Sequence, residues 1–252
     1  MNSEESNIEN NTDLDSGINY DDYKNKHDIE ENNNLNLDEV EDLTSNNYKL
    51  SEEEALKIVS LAELKKNESN NLFSDKKYLE ALSGYKKAIK QLIPDYSDDI
   101  PFNSLKEISI NEVAYKLTSI LFMNSGLCYK NLNETDKAIE YFSKSVFFNN
   151  ENSKALYNRL ELNYSKGEYL EAQEDYQKLK TINPGALKEF KVSEYFLNAR
   201  AEEKKKQMTD QMMGQLKDIG NSFLGMFGLS TDNFKLNQQT GGGYNIEFNQ
   251  NK

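Results

Sequence analysis

The stretch that decides the fold runs from Lys154 to Pro184 and reads KALYNRLELNYSKGEYLEAQEDYQKLKTINP. Its apolar residues recur every three or four positions, which predicts two amphipathic helices, Lys154–Ser165 and Glu168–Thr181. Gly167 can take the left-handed backbone conformation that ends a helix, and a proline cannot continue a helix from within. A lone hairpin of about thirty residues buries too little surface to be stable, so this unit needs neighbouring copies of itself.

Two further copies precede this hairpin. Ala172 lies 34 residues after Ala138, and Tyr176 lies 34 residues after Phe142. A third copy carries Ala81 at the same place, 57 residues before Ala138, so about 23 extra residues separate the first copy from the second. The small residue in each copy lets two helices approach, and the aromatic residue one turn later fills the space beside it. The pattern therefore predicts three helix pairs.

The period and the residue types resemble the tetratricopeptide repeat, a helix pair of about 34 residues with small residues at the crossing and a terminal proline. The resemblance implies an all-α superhelix in which the first helix of each pair lines a concave groove and the second lies on the convex face. We expect an acidic, Asn-rich disordered segment at 1–50, three repeats at 51–184, a long capping and amphipathic helix at 185–226, and an irregular tail at 227–252.

The segment 1–50 differs in composition from the rest of the chain. It holds fourteen Asp or Glu residues against three Lys residues, and few large apolar residues. Such a segment cannot offset its loss of chain entropy by burial, so we expect it to be disordered. Two interpretations remain open: a solubilising tail, or acidic clusters that transiently cover a basic groove further along the chain.

Composition also argues against several classes of function. The net charge of −13 argues against nucleic acid as the main ligand, because neutralised phosphates supply most of that affinity. The single cysteine, Cys128, excludes an intramolecular disulfide and fits a reducing compartment. We find no long apolar run and no hydrophobic amino terminus, and therefore expect no membrane span, no signal peptide and a cytoplasmic location. The sole histidine, His27, lies in the acidic segment, and Cys128 is interpreted as packing, so we expect no catalytic residue, no metal site and no cofactor.

Local signals predict the remaining elements. Capping boxes at Ser51–Glu54 and Ser104–Glu107 predict helix starts, the second as an extension of the first helix of repeat two. Pro94–Pro101 is predicted to be a loop. After Asn183 we expect one long helix from Gly185 to Phe223. Its opening part carries an apolar face able to cover the last repeat: Leu187, Phe190, Val192, Tyr195 and Phe196.

Two features near the carboxyl end leave alternatives open. Six apolar residues form a stripe at helical spacing: Met208, Met212, Leu216, Ile219, Phe223 and Phe227. The stripe could fold back as core, bind a partner or an unfolded segment, or lie on a membrane surface. The alternating run Tyr244–Phe248 could add as one strand or stay loose.

Polar residues on the predicted first helices form a candidate binding site. Lys66 and Asn70 are one turn apart, as are Lys154 and Asn158, and Asn124 lies on the groove side of repeat two. Lysines supply positive charge and amides supply directed donors, a combination that suits a peptide carboxylate. The alternative is that the asparagines bond neighbouring helices and the lysines are solvated.

This spacing resembles the two-carboxylate clamp of co-chaperone tetratricopeptide domains, which implies binding of the C-terminal Glu-Glu-Val-Asp tail of Hsp90 or cytosolic Hsp70. Four of the five positions match: Lys66, Asn70, Asn124 and Lys154. The fifth, an arginine in that family, is Asn158 here. Arg159 follows it, but a one-residue step turns a helical side chain by about 100°. Four apolar residues near the groove could take an aliphatic ligand side chain or form core between repeats: Ile120, Met123, Leu127 and Tyr157.

The stretch LKDIGNSFLGMFGLSTDNF, residues 216–234, resembles the carboxyl end of the tetratricopeptide repeat protein 1 family, with Met226 where that family has proline. The resemblance implies a cytosolic adaptor that engages chaperones and signalling proteins. We therefore expect a non-enzymatic co-chaperone adaptor. The alternative is a signalling scaffold that binds a folded partner, such as a G protein, through the convex face or the C-terminal helix. Unfolded clients are further expected partners.

Overall fold

A computed structural model describes residues 52–100, 104, 112–238 and 244–249. The chain divides into two compact units, with the boundary between Lys191 and Val192. The helices of the first unit are α1 (Glu52–Ser74), α2 (Tyr78–Leu92), α3 (Glu112–Asn131), α4 (Thr135–Phe148), α5 (Ser153–Lys166), α6 (Tyr169–Ile182) and a 3-10 helix (Pro184–Glu189). The acidic segment 1–50 lies outside the described residues.

The three helical hairpins share one turn geometry. Lys76, Asn133 and Gly167 each have a positive φ, of 61°, 61° and 79°, and each lies five residues before the small residue of its copy. In every turn the next N–H donates to the carbonyl five residues earlier, at 2.9 Å. This bond satisfies a carbonyl at the helix end and reverses the chain. The alignment of the three copies is therefore confirmed residue by residue.

The crossing of each helix pair is closely packed. The small residues Ala81, Ala138 and Ala172 are fully buried. On α3, Gly126 faces the ring of Phe142 so closely that an added Cβ would lie 2.7 Å from the ring. Because both residues are buried, neither can move into solvent to relieve such a contact. Small size at the crossing thus sets the distance between the paired helices.

The hairpins stack in chain order, with α2 against α3 and α4 against α5. Phe122 of α3 stacks on Phe148 of α4 with ring centroids 5.5 Å apart, and Ala155 of α5 joins the same buried core. One continuous core therefore runs through the repeats, as expected where a single hairpin cannot bury its own apolar face. The predicted all-α fold of three stacked helix pairs is confirmed.

The loop after α2 contributes a polar cluster to this core. Tyr96 is buried, and Tyr141 of α4 donates a hydrogen bond to Asp98. The ammonium of Lys86 lies 2.6 Å from Asp98 Oδ2. Burial alone would raise the pKa of the Asp98 carboxyl, but hydrogen bonds from Lys86 and Tyr141 outweigh burial and lower that pKa. The predicted loop therefore ties repeat one to repeat two.

Two predicted helix starts are only partly described, and the first coincides with the start of α1 at Glu52. The capping box at Ser51–Glu54 begins with Ser51, which is not described, and most of Ser104–Glu107 is likewise outside. Ser104 itself is exposed.

The predicted single helix from Gly185 to Phe223 is wrong in its first part. The 3-10 helix ends at Glu189, and Phe190 takes an extended conformation. The ring of Phe190 packs against Tyr164 and Tyr176, at centroid distances of 5.8 and 6.0 Å. These contacts hold the extended Phe190 against α5 and α6 at the end of the last repeat.

A new helix, α7 (Glu194–Gly225), starts in the second unit after Ser193, whose side chain accepts a hydrogen bond from Phe196 N–H. A 3-10 turn (Thr231–Asn233) and two strands follow, β1 (Phe234–Gln238) and β2 (Tyr244–Phe248). The strands pair antiparallel, with Phe234 opposite Phe248. The alternating run is therefore a strand. Tyr195 and Phe196, expected to cover the last repeat, are 77% and 63% exposed.

The stretch at residues 216–234 joins α7 to the 3-10 turn that follows it. Asn221 Oδ1 accepts hydrogen bonds from the N–H and the hydroxyl of Thr231, at 2.6 and 2.8 Å. Lys217 pairs with Asp232 at 2.9 Å, and a Cβ on Gly220 would lie 3.0 Å from the Thr231 methyl. These contacts hold the turn Thr231–Asn233 against α7.

The apolar stripe, which runs along α7 into the turn after it, is exposed along its length, from Met208 at 49% to Phe227 at 68%. Of the helices that the structure describes, none is both long enough and apolar enough to cross a bilayer.

We predict that Gly126→Ala lowers the free energy of unfolding by about 1–3 kcal/mol, because the added methyl overlaps the buried Phe142 ring. Urea unfolding followed by circular dichroism measures this change. Gly214→Ala is the control, since its added methyl meets no atom within 4 Å and should not lower stability. Equal losses in both variants would contradict the packing explanation.

Gly167→Ala should lower the free energy of unfolding by about 1 kcal/mol, because the position has φ 79° and a Cβ is unfavourable there. Gly167→Asn should cost less, since asparagine tolerates this conformation and Asn133 occupies the equivalent turn. Thermal unfolding of the three proteins side by side tests the order, and an alanine variant as stable as the asparagine variant would refute it.

Candidate functional site

Two amides from different repeats meet on the first helices. Asn70 Oδ1 of α1 accepts a hydrogen bond from the hydroxyl of Tyr85 at 2.7 Å and one from Asn124 Nδ2 of α3 at 3.2 Å. Burial raises the pKa of Tyr85 well above its ordinary value, so the hydroxyl stays a neutral donor. The structure therefore brings together two of the predicted site residues that lie 54 positions apart.

This amide pair is incompletely satisfied. Asn124 is fully buried, and its Oδ1 has no hydrogen-bond partner among the described residues. A buried polar atom without a partner costs about 1–3 kcal/mol, and Gln91 Oε1 and Thr118 Oγ1 are two further such atoms among the described residues. Asn70 is only half-buried, and its Nδ2 has no partner in the part of the chain that the structure describes. The Asn70 amide can therefore donate to a ligand.

Lys66 lies one turn before Asn70, but its ammonium is engaged. The side chain is 1% exposed, and its Nζ donates to Glu63 Oε1 at 2.5 Å. A buried lysine is stable only when paired in this way. The sequence predicted an ammonium of Lys66 that is open to a ligand, whereas the structure has it paired with Glu63. A ligand carboxylate would have to replace the carboxylate of Glu63.

The third repeat presents a second polar group. Lys154 is half-buried, and its backbone carbonyl accepts a hydrogen bond from Asn158 Nδ2 at 2.9 Å. Asn158 Oδ1 accepts from the ammonium of Lys130 at 2.8 Å, and Lys130 also pairs with Glu161 at 2.9 Å. Lys130 was not predicted as a site residue. Its only sequence signal is its place in the last turn of α3, and the contact with α5 depends on repeat stacking.

Arg159 points to the second helices. Its guanidinium donates two hydrogen bonds to Asp175 of α6, at 2.9 and 2.7 Å, and one to Ser143 of α4 at 3.0 Å. Burial raises the pKa of Asp175, and the charge of Arg159 partly offsets this effect. Because all these partners lie on second helices, Arg159 holds α5 to α4 and α6 and does not join Asn158.

The four apolar residues proposed for the groove separate into two kinds. Ile120 is 5% exposed and Met123 is fully buried, Met123 within the common core. Leu127 and Tyr157 are partly exposed, and the Tyr157 hydroxyl donates to Glu161 Oε1 at 2.9 Å. Only the second pair can offer an open apolar surface.

Cys128 packs in the core of repeat two, and burial raises the pKa of its thiol to about 12. At that pKa the thiolate is scarce near neutral pH, so the residue is a poor nucleophile. The described residues include no cluster of three or more His, Cys, Asp or Glu placed to hold a metal ion.

Comparison with known proteins identifies the repeats. A family model of the tetratricopeptide repeat matches residues 121–150 and 153–185, so these two segments are tetratricopeptide repeats. FK506-binding protein 59 of Drosophila melanogaster is 28% identical over 138 residues, which make up 55% of this chain and 28% of that protein. The match thus spans little more than a quarter of that relative's length.

Several solved structures resemble the chain, among them two TPR domains of RPAP3. The first TPR domain of human RPAP3 is 20% identical, with a TM-score of 0.42, covering 59% of this chain and 98% of that one. The first TPR of Spaghetti (RPAP3), bound to the HSP90 peptide SRMEEVD, is 18% identical, with a TM-score of 0.38, covering 59% and 95%.

We predict that Arg159→Leu lowers the free energy of unfolding by about 3 kcal/mol or more, because it leaves Asp175 buried without its partner. The double variant Arg159→Leu, Asp175→Leu should recover most of this loss, since no unpaired charge remains. Urea unfolding of the single and double variants measures both effects. A single variant of unchanged stability would show that the pair is dispensable.

Proposed function

We propose that this chain is a protein-interaction adaptor whose repeat groove binds the acidic carboxyl-terminal end of a partner protein, in the manner of a co-chaperone. The observation that supports the proposal is the contact between Asn70 and Asn124, two amides from different repeats at positions that resemble those of a carboxylate clamp. Repeats that stack in this way expose their first helices on one continuous surface. An extended peptide can therefore contact several repeats at once.

The chemistry of the groove suits a carboxylate. The half-buried Asn70 amide supplies a directed donor, and Lys154 supplies a charge that is not lost to full burial. Charge-assisted hydrogen bonds of this kind are worth about 1.5–3 kcal/mol each when partly desolvated. A few such bonds give a dissociation constant in the micromolar range, near −8 kcal/mol.

The proposed site includes Lys66, whose ammonium is paired with Glu63 in the free protein. Its contribution requires a ligand carboxylate to exchange with Glu63 at the same ammonium. In the proposed site the Asn70 amide supplies the directed donor and the half-buried Lys154 supplies the charge. Leu127 and Tyr157 are the apolar residues of the proposed groove, because they remain partly exposed.

The proposed partners are the chain ends of Hsp90 and cytosolic Hsp70, which would place the protein in the cytoplasm. The peptide Ser-Arg-Met-Glu-Glu-Val-Asp, present in the Spaghetti structure, is a suitable probe. We further propose membership of the tetratricopeptide repeat protein 1 family. The contacts of Asn221 and Lys217 with the turn at Thr231–Asn233 support this assignment, because they account for the family-like motif.

A second candidate function is a scaffold for a folded or unfolded partner, such as a G protein or a client. The exposed stripe on α7 favours it, since large apolar patches on a surface commonly mark interaction sites. Leu216→Asp should abolish binding of such a partner and leave binding of the acidic peptide unchanged, which separates the two candidates.

We predict that amidation of the peptide terminus lowers its affinity at least tenfold, because the groove donors then lose their charged acceptor. Isothermal titration with the free and amidated peptides measures the difference, and raising the salt concentration should weaken binding of the free peptide more than binding of the amidated peptide. Equal affinity of the two peptides would exclude the clamp.

Lys154→Met should lower the affinity for the free peptide about five- to tenfold. Methionine keeps the aliphatic part of the lysine side chain and removes its charge. The control is Lys90→Met, which removes an exposed lysine from the second helix α2. Both variants change the net charge equally, so a loss confined to Lys154→Met assigns the effect to the groove. A similar loss in both would assign it to long-range charge.

A further inference from the structure

An internal carboxylate already occupies part of the groove. Glu161 Oε2 lies 2.9 Å from the ammonium of Lys130, and Glu161 Oε1 accepts a hydrogen bond from the Tyr157 hydroxyl at 2.9 Å. Each oxygen of the carboxylate thus has its own donor. Asn158 Oδ1 holds the same ammonium at 2.8 Å and fixes its position.

The environment of this group lets a ligand reach it. The side chains of Lys130 and Glu161 are 33% and 36% exposed, so they are neither buried nor freely solvated. Burial raises the pKa of Tyr157, and the neighbouring Glu161 raises it further, so the hydroxyl keeps its proton at neutral pH. Lys130 has three N–H donors, of which the described contacts use two.

We propose that Lys130 and Tyr157 form a carboxylate-binding subsite, which Glu161 occupies in the free protein and which an acidic side chain of the bound peptide takes over. The proposal rests on the proposed function and adds a residue to it. Asn158, at the position where the related clamp has an arginine, acts here by holding the lysine. Lys130 supplies the cation that the missing arginine would have supplied.

The subsite is distinct from the amide pair. Lys130 follows Asn124 by six residues on α3, about 9 Å along the helix axis. An extended peptide advances about 3.3 Å per residue, so roughly three residues are needed to cover that distance. The two sites therefore bind different carboxylates of one ligand, and the subsite selects peptides with an acidic side chain upstream of the terminus.

Glu161 is a competitor under this proposal, and removing its charge has the opposite effect to removing a cation. Glu161→Gln should raise the affinity for Ser-Arg-Met-Glu-Glu-Val-Asp about three- to tenfold. Lys130→Met should lower that affinity by a similar factor. In a Lys130→Met background, Glu161→Gln should have no further effect, because the competed cation is gone.

The matched control is Glu134→Gln. Glu134 pairs with Lys137 at 3.5 Å, both side chains are more than half exposed, and the substitution removes the same single negative charge. If Glu161→Gln raised the affinity only because the protein then repels the acidic peptide less, Glu134→Gln would raise it as well. Thermal unfolding of every variant verifies that the repeats remain folded.

Isothermal titration of the intact chain gives four outcomes. A gain in Glu161→Gln that is absent from Glu134→Gln and from the Lys130→Met background supports the subsite. Equal gains in the two glutamine variants, or a loss in Glu161→Gln, overturn it while the proposed function stands. A wild-type chain that does not distinguish the free from the amidated peptide overturns the proposed function, and the subsite with it.

Discussion

The close approach of paired helices is the constraint on which the rest of this structure depends. Gly126 leaves room for the Phe142 ring, and three fully buried alanines occupy the equivalent crossings. The hairpins stack through α2 on α3 and α4 on α5, and the first helices α1 and α3 are in contact. The contact between Asn70 and Asn124, 54 residues apart, joins these two first helices. A methyl group too many at one crossing would displace an entire row of side chains on the groove.

Two lysines on the first helices are paired with carboxylates of the same protein. Lys66 is held by Glu63 and Lys130 by Glu161, so in the free protein each of these cations has an acidic partner within 3 Å. A chain with net charge −13 can attract an acidic ligand only through local positive charge. Under the proposed function, binding of such a ligand at Lys66 or Lys130 is an exchange of carboxylates, and its free energy is the difference between two similar interactions. This accounts for an expected affinity in the micromolar range.

In the second unit, hydrogen bonds between Asn221 and Thr231 hold the turn that follows α7. Asn221 receives two hydrogen bonds from Thr231, and Gly220 makes room for the Thr231 methyl. The turn is thereby held on one flank of α7, while the apolar stripe on the neighbouring flank stays exposed. The motif keeps this surface presented and the strands beyond it paired.

Helical period, turn chemistry and repeat spacing are local properties, so the sequence alone determined the three helix pairs, the left-handed turn at Gly167 and the small residues at the crossings. It also singled out Asn70 and Asn124, which the structure brings into contact. Only the tertiary structure decided the ion pairs between helices, Arg159–Asp175 and Lys130–Glu161. The pair Lys66–Glu63 joins residues three positions apart on α1, and there the tertiary structure decided the burial of the lysine. It likewise decided the placement of the extended Phe190, since its aromatic contacts come from α5 and α6. The physical reason is that a lysine or a phenylalanine carries no local sign of its partner, which stacking supplies from a distant part of the chain.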